Sequence, residues 1–150
     1  MGMHILHIVT QRQYRGAEIF TAQLSADLLR LGHRVTLVGL YAPGEPPLEV
    51  PGAEVYDLCI SPRPFLSWSG DKRLRHLFKT LRPDVVQANG SATLKYACMA
   101  RWGLPGVPLL YRNISMISAW AGEQGWRRWF YRWLFKQVDH VTSVGERTRA

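Results

Sequence analysis

Cysteine, metal-binding patterns and long apolar stretches are what this sequence has least of. Its two cysteines, Cys59 and Cys98, form no CxxC pair and no Cys/His metal spacing, and its five histidines form no HExxH pattern. No window approaches the ~20 apolar residues that a membrane-spanning helix needs, and no apolar run follows a basic start as in an export signal. We therefore expect no metal site, no membrane span and free thiols in a reducing cytoplasm.

Two phosphate-binding signatures of α/β proteins are also absent. The turn QRQYRGAE at residues 11–18 contains neither the G-x-G-x-x-G of a dinucleotide fold nor the G-x-x-x-x-G-K-[ST] of a phosphate loop. A nicotinamide-dependent dehydrogenase and a P-loop kinase are therefore disfavoured, although an α/β fold would suit both classes.

Acidic residues are few, and basic residues outnumber them. The sequence has 11 Asp and Glu against 19 Lys and Arg, a formal net charge of +8, which favours anionic partners such as phosphates, nucleic acid or acidic lipid headgroups. Nucleic acid is the least favoured, because the basic residues are dispersed and no helix-in-groove or stacking-sheet motif is visible. With 47% apolar residues over 150 positions, the composition predicts one folded domain.

Short apolar, β-branched runs alternate with helix-length segments along the whole chain. Runs of this length are typical of buried parallel strands, and the alternation predicts an α/β fold with an open, doubly wound parallel sheet flanked by helices, Rossmann-like in topology. The predicted strands are 4–9, 34–40, 53–58, 84–89, 108–112 and 140–144, and the predicted helices are 17–31, 70–81 and 92–102. In the first helix, the apolar residues predicted to share one face are Ala17, Phe20, Leu24, Leu28 and Leu31.

The turn at residues 11–18 is the first candidate site. Ligands of open parallel sheets bind at the carboxyl ends of the strands, where a helix N-terminus offers unpaired amides to an anion. Gly16 permits a close approach to the backbone, and Arg12 and Arg15 add positive charge. The residues themselves leave two interpretations open: an anion site, or a tight turn with solvated arginines.

Four segments, in order, resemble glycosyltransferase family 4. The string MHILHIVTQRQYRGAEIFTAQLSADLLRLGHRVTLVGL is similar to the opening of that family, with its first strand, Gly-Gly-Ala-Glu-like turn, long helix and second strand. The strings RPDVVQANG, GLPGVPLLYRN and VDHVTSVGERTR are similar to its fourth, fifth and sixth strands at comparable spacing. The resemblance covers nearly all of the chain.

The resemblance implies the N-terminal, Rossmann-like lobe of the two-lobed GT-B architecture. Residues 1–150 would form a single acceptor-side domain of a longer protein, whose C-terminal donor-binding domain is absent. The whole enzyme would transfer a hexose-type sugar from a nucleotide-sugar donor to a glycan or lipid-linked acceptor, with retention, in cell-envelope polysaccharide synthesis. It would hold no permanent cofactor and no metal, and the chain alone would be inactive.

The resemblance also implies roles for the first turn. The amides of Gly16, Ala17 and Glu18, together with Arg15, would bind the donor diphosphate and stabilise its growing negative charge. Arg15 stands where the family has a second glycine, so it either narrows the approach or adds a cationic contact. Glu18 has an alternative role, as a carboxylate that the helix dipole favours in the first turn.

Further site residues follow the later strands. Four residues would contact the acceptor: Arg12, Tyr14, Asn89 and Ser91. Gln87 and Asn89 stand where the family often has His-x-His, and amides do not titrate near neutral pH. Asn113 or Arg112 would take the place of a family histidine near the reacting sugar and are the catalytic candidates, with the alternative that both simply end a strand.

The segment GWRRWFYRWLFK, residues 125–136, is predicted to form an amphipathic helix. Its predicted apolar face consists of Trp126, Trp129, Phe130 and Trp133, with Arg128 and Arg132 opposite and with Tyr131 and Phe135 outside the apolar stripe. The aromatic face would pack on the sheet, as in any crossover helix, or would lie on an anionic membrane surface. The second interpretation would make the protein peripheral on the inner face of the membrane.

One alternative function stays open. A basic Rossmann-like module would bind a phosphorylated or polyanionic ligand without chemistry, because a fold by itself specifies no activity. For the transferase, the expected partners are the missing C-terminal domain, a nucleotide sugar, a glycan or glycolipid acceptor and, through residues 125–136, a membrane surface.

Overall fold

A computed structural model describes residues 2–61, 67–102, 104, 106–113 and 125–143 of the chain. Strands and helices alternate along these residues as predicted, and each described boundary lies within two residues of its predicted position. The strands are β1 (His4–Val9), β2 (Arg34–Gly39), β3 (Glu54–Asp57), β4 (Val85–Asn89), β5 (Leu109–Asn113) and β6 (His140–Ser143). The helices are α1 (Gly16–Arg30), α2 (Trp68–Leu81), α3 (Ser91–Arg101) and α4 (Gly125–Lys136).

The six strands form one sheet in the order β3-β2-β1-β4-β5-β6, and every neighbouring pair is parallel. β1 lies in the interior of the sheet, where Ile5 is level with Val35 of β2 and with Val85 of β4. Because all strands run the same way, their carboxyl ends meet at one edge, which we name the carboxyl edge. The predicted doubly wound parallel sheet is confirmed.

Helices cover the two faces of the sheet unequally. The larger core joins alternate strand residues to α2, α3 and α4, and includes Leu6, Ile8, Leu74, Leu94 and Leu134. On the opposite face, α1 places Ala22 and Leu29 against Val9 and Leu37. The chain therefore leaves β1 toward one face and leaves β4 toward the other, as a doubly wound sheet requires.

The apolar stripe predicted for α1 is wrong in part. Phe20 is 43% exposed and Leu31 is 75% exposed, and the buried positions of the helix are instead Glu18, Thr21 and Ser25. The Thr21 hydroxyl donates to the carbonyl of Ala17, and the Ser25 hydroxyl donates to the carbonyl of Thr21. Small polar side chains can face the sheet in this way because their hydroxyls are satisfied inside the helix itself.

The predicted face of α4 is also corrected. Tyr131 and Phe135, which the helical wheel left outside the stripe, pack against the larger core beside Leu134, as do Phe130 and Trp133. Trp129 is 69% exposed, and Arg132, which was predicted to lie opposite Trp129, is exposed on the same side of the helix, where both line one shallow cavity. The side chains of Trp126 and Arg128 lie outside the described residues. The packing of Phe130 and Trp133 follows the crossover-helix interpretation, whereas Trp129 remains on the surface.

Both cysteines are free thiols, as expected, with Cys59 exposed and Cys98 buried. Two histidines of β1 are buried as well. His4 contacts the hydroxyl of Thr36 through Nε2, at 2.7 Å, whereas neither ring nitrogen of His7 has a hydrogen-bond partner among the described residues. Burial lowers the pKa of His7 from 6.5 to about 4 and also lowers the pKa of His4.

We predict that the fold loses stability in mild acid because of His7. As the pH falls from 6.5 toward 4, the unfolded chain binds a proton that the folded chain does not, so the free energy of unfolding falls. The loss attributable to His7 is about 3 kcal/mol at pH 4. Urea unfolding of His7→Leu between pH 7.5 and pH 4 should show a flatter pH dependence, with a residual slope from His4.

The exposed His140 offers a matched control for this prediction. His140→Leu should keep the pH dependence of the wild-type chain. An identical loss of stability in acid for the wild-type chain and for His7→Leu would contradict the assignment.

Candidate functional site

The candidate site lies at the carboxyl edge where β1 and β4 are neighbours. After β1 the chain enters α1 on one face of the sheet, and after β4 it enters α3 on the other face. Two helix N-termini therefore flank a crevice at the point where the strand order reverses. Open α/β sheets bind their ligands at such a switch point.

The turn between β1 and α1 is held by a partly buried ion pair. Arg12 donates to both carboxylate oxygens of Asp57, from Nε at 2.9 Å and from Nη2 at 2.5 Å, and its Nη1 donates to the carbonyl of Leu48. The hydrogen bonds that Arg12 donates to Asp57 raise the pKa of Arg12, so the guanidinium stays charged. A Cβ on Gly39 would lie 2.8 Å from Oδ1 of Asp57, so a glycine there makes room for the pair.

The ion pair gives Arg12 a structural role that the sequence did not indicate. Its positive charge is matched by Asp57, which lies 45 residues away in sequence, and its carbonyl accepts a hydrogen bond from the amide of Gly44. The side chain therefore holds the turn against β3 and against the loop that precedes β3. A contact between Arg12 and the acceptor stays a prediction.

The first turn of α1 presents free backbone donors. Arg15 precedes the helix in an extended conformation, and its side chain makes no capping hydrogen bond. Among the described residues, no acceptor is bonded to the amides of Gly16, Ala17 or Glu18. A Cβ on Gly16 would meet no heavy atom within 4 Å, so neither packing nor a positive φ requires glycine at this position. Free amides at an exposed helix N-terminus are what an anion-binding site needs.

The side chains around this turn divide into exposed and buried ones. Tyr14 and Arg15 are exposed and free to contact a ligand. The carboxylate of Glu18 is buried and accepts a long hydrogen bond, 3.5 Å, from the side chain of Gln13. Glu18 therefore contributes its side chain to the structure of the turn, and its amide remains on the first turn of the helix.

Asn89 ties the two strands of the switch point together. Its side chain is buried, its Nδ2 donates to the carbonyl of Ile8 at 3.1 Å, and its Oδ1 accepts from Nε2 of Gln87 at 3.0 Å. Gly90 then turns the chain with φ of 101°, and α3 begins at Ser91, whose side chain lies outside the described residues. Asn89 thus links β4 to β1 at the switch point, and its contact with an acceptor stays a prediction.

Arg112 is a buried cation without a full set of partners. It is the second-to-last residue of β5, level with Asn89, is only 9% exposed, and its Nη1 has no hydrogen-bond partner among the described residues. The centre of its guanidinium lies 3.8 Å from the centroid of the Phe20 ring, in the second turn of α1. Burial lowers the pKa of Arg112. The sequence indicated Arg112 but not its contact with Phe20, because the predicted apolar stripe of α1 placed Phe20 against the sheet.

Asn113 follows Arg112 at the end of β5, and its side chain lies outside the described residues. The described residues contain no group of three metal-ligating side chains. The structure therefore brings Gly16, Ala17 and Glu18 to the same edge as Asn89 and Arg112.

The sequence profile of Glycosyltransferase Family 4 matches residues 14–150, from the α1 turn onward. The chain belongs to glycosyltransferase family 4. No curated protein matches it significantly in sequence. The match confirms the family that the four sequence segments indicated.

Solved structures share the fold of this family 4 chain. MurG of Acinetobacter baumannii is 13% identical with a TM-score of 0.65, over 99% of this chain and 43% of that one. HepE of Anabaena, in complex with UDP and glucose, is 18% identical with a TM-score of 0.65, over 97% and 39%. A glycosyltransferase of Rickettsia africae is 14% identical with a TM-score of 0.61, over 95% and 37%. The chain therefore spans about two fifths of the length of these proteins.

We predict that the Arg12–Asp57 pair contributes to stability where a more exposed pair does not. Asp57→Asn should lower the free energy of unfolding by about 1–3 kcal/mol, because it leaves the half-buried guanidinium of Arg12 without its carboxylate. The more exposed pair Arg34–Glu54 also joins an arginine to a carboxylate of β3 and provides the control. Glu54→Gln should lower the free energy of unfolding by less than about 1 kcal/mol. Urea unfolding of both variants at pH 7.5 makes the comparison, and equal losses would refute it.

Proposed function

We propose that this chain is the acceptor-side lobe of an enzyme that transfers a sugar from a nucleotide donor to a hydroxyl of a glycan or lipid-linked acceptor. One observation supports this most strongly. The buried guanidinium of Arg112, with an unsatisfied Nη1, lies against the helix whose first amides are free. Both are hydrogen-bond donors, and together they suit a dianionic leaving group.

The proposed mechanism is electrostatic. When the bond between the sugar and the diphosphate breaks, negative charge grows on the diphosphate, and donors fixed in advance stabilise it without reorganising. We assign this role to the amides of Gly16, Ala17 and Glu18, with Arg15 as an exposed cationic contact. Arg112 adds a planar, permanently charged donor held in place by Phe20. Because a guanidinium does not deprotonate near neutral pH, Arg112 would act through its charge and not as a general base.

The donor and the stereochemistry are parts of the same proposal. HepE, which shares the fold, was solved with UDP and glucose, and this supports a uridine diphosphate hexose as the donor. Family membership supports transfer with retention, a second lobe that holds most of the nucleotide, and a role in envelope polysaccharides. The chain alone would then bind the donor weakly and transfer little sugar.

We predict that a side chain on Gly16 blocks the diphosphate without disturbing the fold. Gly16→Val adds a branched side chain beside the free amides, at a position where a Cβ meets no heavy atom within 4 Å. Calorimetric titration with UDP and with inorganic pyrophosphate should show affinity lowered at least 10-fold, and the free energy of unfolding should change by less than about 0.5 kcal/mol.

Gly125→Val is the matched control. Gly125 also begins a helix, and a Cβ there meets no heavy atom within 4 Å. Its affinity for UDP should stay within twofold of the wild-type value. A folded Gly16→Val variant with unchanged affinity would rule out the α1 amides as the diphosphate site. If the whole protein binds UDP at Gly16 but transfers no sugar from any UDP-hexose, the non-catalytic binding module replaces the enzyme.

We also propose that α4 and the end of α3 form a surface for an anionic membrane. Trp102 is exposed and lies edge to face with Trp133, with ring centroids 6.1 Å apart. Trp129, Arg132 and Lys136 are exposed on the same side of α4 and line a shallow cavity of about 560 Å³ with Trp133. Exposed tryptophans beside basic residues suit the interface of an anionic bilayer. No described helix is both long enough and apolar enough to cross a membrane.

We predict that Trp129→Ala weakens binding to vesicles that contain phosphatidylglycerol at least 5-fold in a flotation assay. The reason is that an exposed indole gains most from the bilayer interface. Trp68→Ala removes an equally exposed tryptophan from α2 and should bind like the wild-type chain. Equal binding by all three proteins would contradict the proposed membrane-binding surface and the proposed position on the inner membrane face.

A further inference from the structure

A second cavity lies on the outer side of the sheet, between the edge strand β3 and helix α2. It is shallow, with a volume of about 400 Å³, within the range of roughly 300–1,000 Å³ that small-molecule sites occupy. Its lining comes from two elements: Tyr56, Asp57 and Leu58 from β3 and the residue after it, and Lys72, Arg73, His76 and Leu77 from α2. None of these residues belongs to the proposed diphosphate site.

The charge of this cavity is positive. Its one acidic lining residue, Asp57, already binds Arg12 through both oxygens. Lys72 and Arg73 are exposed, and within the described part of the chain neither has an ion-pair partner. His76 is exposed and has a single long contact, 3.4 Å, with the hydroxyl of Thr80. These three side chains therefore have their charges or donors available for an anion.

The floor of the cavity is apolar. Leu58 is buried beneath it, Leu77 is half-buried at its wall, and the ring of Tyr56 stays exposed at its rim. Inorganic phosphate would contact the basic side chains and would leave the apolar floor of the cavity exposed to water. A ligand that carries an apolar group next to its phosphate would use both parts of the cavity.

The cavity is connected to the diphosphate site by one ion pair. Asp57 lines the cavity and holds Arg12, and Arg12 holds the turn from which α1 begins. A ligand in the cavity therefore lies beside the ion pair that holds the turn before α1.

We propose that the β3–α2 cavity binds the phosphate ester of an amphiphilic acceptor, with Lys72 and Arg73 contacting the phosphate and with Tyr56 and Leu77 contacting its apolar part. This inference deepens the proposed function and rests on it, since it states which chemical class the acceptor belongs to. The acceptor would be recognised by a phosphate near its apolar end, while its free hydroxyl reaches the carboxyl edge.

The test is a titration of the isotope-labelled chain, followed by backbone amide resonances, with decyl phosphate below its micelle concentration. Inorganic phosphate and the uncharged decyl maltoside are the comparison probes. Amides of β3 and α2 should shift with decyl phosphate, with affinity at least 10-fold above that for either comparison probe. Equal affinity for inorganic phosphate would overturn the apolar half of the proposal, and equal affinity for decyl maltoside would overturn the phosphate half.

The double variant Lys72→Gln/Arg73→Gln should lose at least 10-fold in affinity for decyl phosphate. Lys79→Gln/Arg82→Gln removes the same charge from the other end of α2 and its cap, and should stay within twofold of the wild-type chain. Equal losses in both double variants would reduce the effect to net charge and overturn the site. Shifts at β3 and α2 with phosphatidylglycerol vesicles, but not with decyl phosphate, would place the phosphate in the bilayer and overturn the acceptor assignment.

Titration with UDP on the same samples separates this proposal from the proposed function. The cavity variant should keep the shifts of Gly16, Ala17 and Glu18 that UDP causes in the wild-type chain. If UDP causes no such shifts in the wild-type chain while decyl phosphate still binds at the cavity, the diphosphate site is overturned and the cavity remains a phosphate site.

Discussion

The parallel pairing of β1 with both β2 and β4 is the constraint on which the rest of this structure depends. It brings the carboxyl ends of all strands to one edge and makes the chain leave β1 and β4 toward opposite faces. Asn89 secures that junction by donating from β4 to the carbonyl of Ile8 in β1. With the strands fixed in this way, the N-terminus of α1 lies at the carboxyl edge beside β4.

The crevice combines fixed donors with an unsatisfied charge. A buried donor without a partner costs about 1–3 kcal/mol, so the Nη1 group of Arg112 is destabilising until a ligand accepts from it. Stacking on Phe20 holds the guanidinium in place meanwhile. The Arg12–Asp57 ion pair holds the turn before α1 in the same way, and the free amides follow directly after that turn. Preorganised donors of this kind favour a charge that appears during a reaction over one that is always present.

Local patterns in the sequence were sufficient to predict the sheet, but they did not predict some of the side-chain contacts around it. Each strand was predicted because β-branched apolar runs are readable within a few residues. The inward face of α1 was not predicted, because Thr21 and Ser25 satisfy their hydroxyls within the helix and so can be buried like apolar residues. The partners of Arg12 and Arg112 were not predicted either, because Asp57 and Phe20 are brought to them only by the folded topology. The free amides at Gly16 were anticipated from the turn and from the family resemblance together.

The most direct test of the proposed diphosphate site is a crystal structure of the protein in complex with UDP. In that complex we expect the diphosphate at the carboxyl edge, with its oxygens about 3 Å from the amides of Gly16, Ala17 and Glu18 and from the guanidinium of Arg112. A complex in which the diphosphate lies elsewhere, with those amides bonded to the chain's own side chains, would contradict it.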